Sequence, residues 1–562
     1  MRRQLTPVNR QAALDAIRQQ PRKTVLIVGA GINGIGVYRD LALQGIDVLL
    51  VERGDFGSGA SAGSSHMVHG GLRYLENGEF RLVREALRER NLLLQNAPHY
   101  VKPLPTTIPI FSWMSGWLNA PLKFLRLLDK PTERGALVIK IGLTFYDLFT
   151  RGQQTLPRHR FFLRKKSLAQ RPDLNPDILC TATYYDAWMP YPERICMELI
   201  LDTELAAPQA QAINYLSVVG AEGDTVSLRD ELSGETLTVQ PQIVINAAGP
   251  WIDVANSAMQ RKTEFIGGTK GSHLVLDHPD LYYATRGHEL FFENQDGRIC
   301  LFFPFEGKVL VGTTDIPVDD PDQAFCTEEE VDYLLGMIKH VFPSIHVDRS
   351  HIVFRFCGVR PLPNSKTSTT GQISRDHSTE LVDANSTIHF PIYSLVGGKW
   401  TTFRAFAEQV TDTVLKRLGK PRQLSTEQLA IGGGRQYPKS EADQRLWIAA
   451  LQRKTGLPEA HLKVLFERYG TRAEAIAEFM VAGEDAPLQT LPDYSQRELR
   501  FLIEQEQVVH LDDLLLRRTL IAMVGQVTPA VLEELHTLYA DCWGADEVTR
   551  TTALFRKNHQ IL

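Results

Sequence analysis

Residues 24–76 read TVLIVGAGINGIGVYRDLALQGIDVLLVERGDFGSGASAGSSHMVHGGLRYLE, and this stretch decides the fold. Thr24 to Val28 is a short apolar, β-branched run that passes directly into Gly29-Ala30-Gly31-Ile32-Asn33-Gly34. From Ile35 to Leu43 the apolar spacing becomes helical. A second apolar run, Val48 to Val51, ends in the acidic Glu52. Strand, glycine turn, helix and acid-terminated strand together predict a dinucleotide-binding βαβ unit. Gly29 permits the tight turn, Gly31 admits a pyrophosphate close to the backbone, and Gly34 lets helix and strand pack. The helix N-terminus favours phosphate charge, and Glu52 is placed to accept hydrogen bonds from ribose hydroxyls. A glycine motif alone also fits an ordinary turn; the agreement of all four elements separates the two readings.

The 562-residue chain is too long for one core and predicts two or three domains. Its net charge of −5 provides no global basic field for nucleic acid, so an anionic ligand must be met by local Arg and Lys. Six cysteines without a C-x-x-C pair argue against a disulfide framework or a zinc site and for reduced thiols in a cytoplasmic setting. No run reaches the roughly 18 apolar residues of a membrane-spanning helix. Residues 1–23 are polar and basic, lack an apolar signal core, and read as a short helix or arm.

After Glu52 the small residues Gly54 to Ser65 form a loop suited to close ligand approach, followed by His69-Gly70-Gly71-Leu72-Arg73-Tyr74-Leu75-Glu76. Phe80 to Ala97 is an amphipathic helix closed by Pro98. The glycine motif with its loop, HGGLRYLE, EFRLVREALRER and APH are similar to the FAD-dependent glycerol-3-phosphate dehydrogenases. NAAGPW at 246–251, VGTTDIP at 311–317, Ile373-Ser374-Arg375-Asp376-His377 and the Gly397 to Arg404 segment continue the resemblance, which is strong over residues 24–420 and weak in the tail.

The resemblance implies an α/β fold with an added α region: a Rossmann-type FAD-binding domain, an antiparallel-sheet substrate domain and a C-terminal helical domain. The expected division gives 24–110, 180–260 and 365–420 to the FAD domain, 111–179 and 261–364 to the substrate cap, and 425–562 to the helices. Strands are expected at Glu289–Phe292, Ile299–Pro304, Lys308–Thr313, Ile352–Val359 and Ile388–Val396, and helices at Glu328–Phe342, Glu441–Thr455, Glu459–Tyr469 and Arg517–Met523. The meander Leu216 to Val239 is read as distinct from the strand Ile243 to Ala247.

FAD is the implied cofactor, held by Gly29, Gly31, Asn33, Gly34, Glu52, Ser61, Ser65, His69, Ala248, Gly249, Asp315, Gly398, Lys399, Thr401 and Thr402. The glycine pair 397–398 at a helix start suits backbone amides meeting the flavin. A phosphate dianion requires converging cations, best supplied by Arg forks; Arg360 and Arg375 are expected to hold it, with Arg73, Tyr74 and Lys399 framing the substrate. His273 is the leading proton acceptor, because imidazole is matched to neutral-pH transfer, and His69 is its rival. No metal ligand set is expected.

The implied reaction takes a hydride from C2 of sn-glycerol 3-phosphate to flavin N5, gives dihydroxyacetone phosphate, and passes electrons to a quinone. Alternatives are a soluble oxidase using oxygen, an enzyme for a related polyol phosphate such as erythritol phosphate, and a flavin-binding protein without turnover. The aromatic and basic residues between Phe111 and Thr150, among them Trp113, Trp117, Phe145 and Tyr146, read either as helices packed on the core or as a surface in a membrane interface. The family's peripheral attachment at the inner face of the cell membrane favours the second. A homodimer is compatible with the sequence. Three departures from the family stand out: His66 where Lys is usual, Ala60 where Thr is common, and Pro190-Tyr191-Pro192-Glu193-Arg194 in place of Asp-Asp-Ala-Arg.

Overall fold

A computed structural model describes residues 10–72, 79–113, 135–149, 156–294, 298–364 and 376–561. Two sheets carry the chain. The first runs in the order Ser378–Val382, Ile392–Val396, Thr236–Asn246, Arg22–Val28, Val48–Val51, Gln211–Ile213. The four pairings from Ile392–Val396 through to Gln211–Ile213 are parallel, with Val25 beside both Ile243 and Val48. The chain leaves Arg22–Val28 toward one neighbour and returns on its other side at Thr236–Asn246, which opens a crevice at the carboxyl ends of these strands. Gly29 turns there at φ 100, and a Cβ on it would lie 2.7 Å from Ala247 O.

The helix Ile32–Leu43 packs between Pro192–Ala206 and Phe403–Leu418. Ile35, Tyr38, Leu41, Leu199, Phe406 and Val410 form that core. Gly36 makes the close approach possible, since a Cβ would meet Phe403 Cδ2 at 2.9 Å.

The second sheet joins Ile316–Pro317, Thr269–Leu276, Lys308–Gly312, Ile299–Phe305, Glu289–Glu293, Lys102–Ile110, Cys180–Trp188 and Met67–Val68 in that order, with Ile352–Arg360 also on Thr269–Leu276 and Arg160–Leu163 on Cys180–Trp188. It is antiparallel as expected except where Glu289–Glu293 runs parallel to Lys102–Ile110. The expected division is corrected here: Lys102–Ile110 and Cys180–Trp188 belong to this sheet, because their edges pair with each other along nine residue pairs rather than with the parallel sheet.

Other expectations shift in detail. The last strand of the meander and the strand that follows it are one element, Thr236–Asn246, antiparallel to Thr225–Asp230 in its first half and parallel to Arg22–Val28 in its second. The strand expected from Ile388 starts at Ile392, after Pro391, which has no N–H to give a ladder. Arg517–Met523 is not a helix: a π-helical turn spans Leu514–Arg518, and the Thr519 hydroxyl donates to Leu514 O. The residues 10–23 contain the helix Arg10–Gln19. The C-terminal helices, including Glu441–Thr455, Glu459–Tyr469, Gln496–Gln505 and Glu547–Asn558, bury Leu462, Leu499, Leu515 and Phe555 in one core with Val275, Phe303 and Phe354 of the second sheet. They are fused to the sheet rather than tethered by a linker.

Candidate active site

Where the two sheets meet lies a cavity of about 870 Å³. One end is walled by the glycine turn (Gly29, Gly31, Ile32, Asn33), by Glu52, Arg53 and Gly54, and by Leu216 to Val219. Glu52 Oε2 accepts from the Ala30 amide at 2.8 Å, and Oε1 accepts from the Gly54 amide at 3.0 Å. Burial pushes its carboxyl up from the ordinary range despite these two amides. The Ser61 hydroxyl accepts from the Ile32 amide at 2.9 Å and so caps the helix from across the loop.

The other end is built by the second sheet. His273, in Thr269–Leu276, is paired across the ladders with Phe356 and Gly312. Its Nε2 hydrogen-bonds Ser65 Oγ at 2.8 Å. Gly312 is obligatory beside it, because a Cβ there would lie 2.3 Å from His273 Cδ2. Burial, then the charge of Arg360 and then His66, hold the imidazole well below its usual pKa, so it is neutral at pH 7.

Arg360 ends the strand Ile352–Arg360. Its Nη1 donates to Asp315 Oδ1 at 3.1 Å, and its Nη2 donates to Thr313 Oγ1 at 3.0 Å and to Thr314 O at 3.2 Å. It lies over Gly271, where a Cβ would reach to 2.1 Å of Nη2. The third wall is the turn after Ile392–Val396. Gly397 and Gly398 take φ of 76 and 93, Trp400 Nε1 donates to Ser61 O at 3.1 Å, and the His69 amide donates to Thr401 Oγ1 at 3.2 Å.

Of the residues singled out from sequence, Gly29, Gly31, Asn33, Glu52, Ser61, Ser65, His69, Ala248, Gly249, His273, Arg360, Gly398, Lys399 and Thr401 line this one cavity. Gly34 lies behind it, against Gly29 O. Asp315, expected as a cofactor contact, accepts from Arg360 Nη1 and is not among the residues lining this cavity. Thr402 is fully buried off the cavity wall. Arg73, Tyr74 and Arg375 lie outside the described residues, as do Trp117 and most of the aromatic segment around it. Tyr146, read with that segment, is buried instead: it bonds Asp186 Oδ1 at 2.5 Å and accepts from the Gly70 amide at 3.0 Å, supporting the His69-Gly70 turn from below.

Several contributors were not legible. Gly63 and Gly358 touch backbone to backbone, and a Cβ on Gly358 would stand 2.2 Å from Gly63 O. At the rim Arg53 lies over the Trp251 ring at 4.4 Å, and both donate to Asp322. His66 is fully buried at φ 56, edge-on to Phe305. The departure at 190–194 points away from the cavity: Pro192 opens the helix, and Arg194 is buried against Glu506 of the C-terminal helices and Tyr100.

The donor set fits FAD. A cavity of this size spans both sheets, glycines line it where a side chain would intrude, and Asn33 Oδ1 is buried without a partner at its wall. Such a crevice at a strand-order reversal, with a neutral imidazole and a fixed guanidinium at its far end, defines an FAD-dependent oxidoreductase; residues 24–403 match the family described by that name, and residues 424–550 match the C-terminal domain of alpha-glycerophosphate oxidase. The chain is 35% identical over 529 residues to the glycerol-3-phosphate dehydrogenase of Synechocystis sp., covering 89% of each. It is 30% identical over 553 residues to the aerobic glycerol-3-phosphate dehydrogenase of Staphylococcus haemolyticus, covering 95% of this chain and 94% of that one. It therefore belongs to the glycerol-3-phosphate dehydrogenase family, an enzyme with FAD as cofactor. The solved glycerol-3-phosphate dehydrogenase of Bacillus halodurans, complexed with FAD, shares the fold at a TM-score of 0.74 and 24% identity, over 98% of this chain and 97% of that one.

Proposed function

We propose that the enzyme oxidises sn-glycerol 3-phosphate to dihydroxyacetone phosphate at the His273 end of the cavity and passes the electrons to a quinone. The observation that carries this reading is the presence of neutral His273 and hydrogen-bonded Arg360 on the wall of the cavity opened by the glycine turn. Arg360 presents a fixed charge to the phosphate, joined by Lys399 and by Arg73, Tyr74 and Arg375. Its bonds to Asp315 and Thr313 hold the fork still, so little ordering is lost when the anion binds. His273 takes the C2 hydroxyl proton, its ring oriented by Ser65 and Phe356. FAD held in this cavity would supply the two-electron acceptor.

The helix Ala136–Phe149 supports a peripheral membrane position. Leu137, Ile141, Phe145 and Leu148 form one exposed stripe, while Ile139, Leu143 and Tyr146 face the core. Among the described residues no helix is long and apolar enough to cross a membrane.

Anaerobic flavin bleaching over glycerol 3-phosphate, erythritol 4-phosphate and glycerol tests the substrate, and oxygen uptake with and without a ubiquinone analogue tests the acceptor. Bleaching by glycerol as fast as by its phosphate would reject the anion pocket. Turnover on oxygen alone, unaffected by the quinone, would reject the acceptor.

A further inference from the structure

The wall at the Glu52 end of the cavity is held from outside its own sheet. Asp55, three residues beyond Glu52, is fully buried and accepts four hydrogen bonds: from Arg517 Nε at 2.6 Å, Arg518 Nη1 at 2.8 Å, Arg518 Nη2 at 2.9 Å and Asn214 Nδ2 at 3.1 Å. The opposite wall, Leu216 to Val219, is tied at its start. Asn214 Nδ2 also donates to Gln507 O at 2.9 Å, and the Tyr215 hydroxyl donates to Asp513 Oδ1 at 2.7 Å. The two walls are stitched together by the Tyr215 amide on Gly54 O and the Leu216 amide on Glu52 O. Among the described residues the cavity wall takes nothing from beyond Thr401. Among the described residues these loops tie the helical region to the Glu52 end of the cavity. Arg10 of the N-terminal helix adds bonds to the carbonyls of Asn214 and Tyr215.

We propose that the C-terminal helical region sets the adenosine end of the FAD site, with Arg517, Arg518 and Asp513 as positioning residues. The arginines are themselves fixed: Arg518 donates to Glu506 O at 2.8 Å, and Arg517 to Asp513 Oδ1 at 2.5 Å. A buried charge network of this kind tolerates the loss of one partner poorly, because the survivor is left uncompensated in low dielectric. Burial by itself would raise the Asp55 carboxyl, but Arg518 and Arg517 outweigh it and keep the group ionised. With the guanidinium gone, the carboxylate regains solvation only by moving outward, and it takes Gly54 and the Glu52 carboxylate with it. The arrangement gives the helical region a role in holding cofactor, whichever polyol phosphate is oxidised.

The test is FAD affinity of the full-length apoprotein, followed by flavin fluorescence, together with the visible circular dichroism of the bound flavin. Arg518→Gln should weaken binding by about tenfold or more, Tyr215→Phe by about threefold, and Arg518→Lys should recover part of the loss. At saturating FAD the KM for the polyol phosphate stays at the wild-type value. Arg468→Gln is the control, since it breaks a pair to the buried Glu498 within the helices and Arg468 makes no hydrogen bond to Asp55. It should lower thermal stability and leave FAD affinity within about twofold. Tyr215→Phe removes one hydroxyl and carries the test alone should Arg518→Gln fail to fold. Wild-type affinity in Tyr215→Phe and Arg518→Lys, or an equal loss in Arg468→Gln, overturns the proposal.

Discussion

His273 lies flat on Phe356, ring centroids 4.8 Å apart and planes 11° from parallel, while its Nε2 meets Ser65 Oγ at 2.8 Å. Stack and hydrogen bond fix the ring in two directions. Burial and Arg360 keep it neutral, the form a proton acceptor requires. Because its pKa is depressed, the competent form persists below pH 6.5 and is lost only as pH falls through the lowered value. The profile of kcat/KM should therefore show no acid limb near 6.5 arising from this residue. His273→Gln should lower kcat by about 10²-fold or more with FAD still bound. An acid limb near 6.5 that vanishes in His273→Gln would show that the imidazole titrates normally and would overturn its depressed pKa, whereas wild-type kcat in His273→Gln would sink the assignment.

Arg360→Ala leaves the cavity without the one guanidinium of the proposed phosphate set that the structure describes. Loss of a charged anchor for a dianion costs on the order of 2–5 kcal/mol, so kcat/KM for the phosphorylated substrate should fall by about 30-fold to several thousand-fold. FAD binding should be unaffected, as read from the flavin spectrum. Arg360→Lys keeps the charge but not the fork that joins Asp315 to Thr313, and should recover only part. Unchanged steady-state kinetics in Arg360→Ala would reject the pocket.

Gly358→Ala tests the seam between the sheets. Its new methyl would stand 2.2 Å from Gly63 O and 2.7 Å from Gly63 C, backbone atoms that cannot rotate away. Overpacking of this kind costs about 1–3 kcal/mol or more. The expected result is a lower melting temperature with weaker FAD retention, since the displaced loop carries Ser61 and Ser65. A variant with wild-type stability and flavin content would show that the seam opens freely.

The exposed stripe on Ala136–Phe149 separates membrane contact from catalysis. Ile141→Glu with Phe145→Glu places two charges where apolar side chains face outward. Burying each of those side chains in lipid is worth about 1.5–3 kcal/mol, so sedimentation with anionic vesicles should drop sharply while anaerobic flavin reduction in solution is retained. Equal sedimentation of the variant and the parent would place the contact elsewhere.

The parts legible in sequence were those whose cause is local. Gly29 to Glu52 announces its fold because turn, helix start and acid lie within one βαβ unit, and the strand ending at Arg360 is marked by the apolar and aromatic residues of its own stretch. What sequence could not show depends on two distant segments meeting. The bond from Arg518 to Asp55 spans 463 positions, and Arg518 stands in no motif. Gly63 and Gly358 each look like ordinary loop or strand glycines until the sheets dock. Ser378–Val382 is a half-exposed edge strand, so it lacks the apolar run that marks its neighbours. Residues 514–523 carry a helical apolar pattern, yet Arg517 and Arg518 turn inward to reach Asp55, and the chain takes a π turn instead.

His66 sits at φ 56 with its imidazole fully buried between Phe305 and Phe356, and burial lowers its pKa to about 4 against the ordinary 6.5. The native state thus holds it neutral while the unfolded chain protonates it. Between pH 6.5 and 4 the unfolded state binds more protons, so stability falls as pH falls through this window and is unaffected by the residue above it. A shift of this size corresponds to about 3 kcal/mol lost by pH 4. His66→Asn keeps a side chain that accepts positive φ and removes the titration. The variant should be less stable than the parent at pH 8, because a cavity replaces the ring, yet lose about 3 kcal/mol less between pH 6.5 and 4. Denaturant midpoints across that range read the difference, and parallel curves for the two proteins would mean that His66 takes up no proton when the chain unfolds.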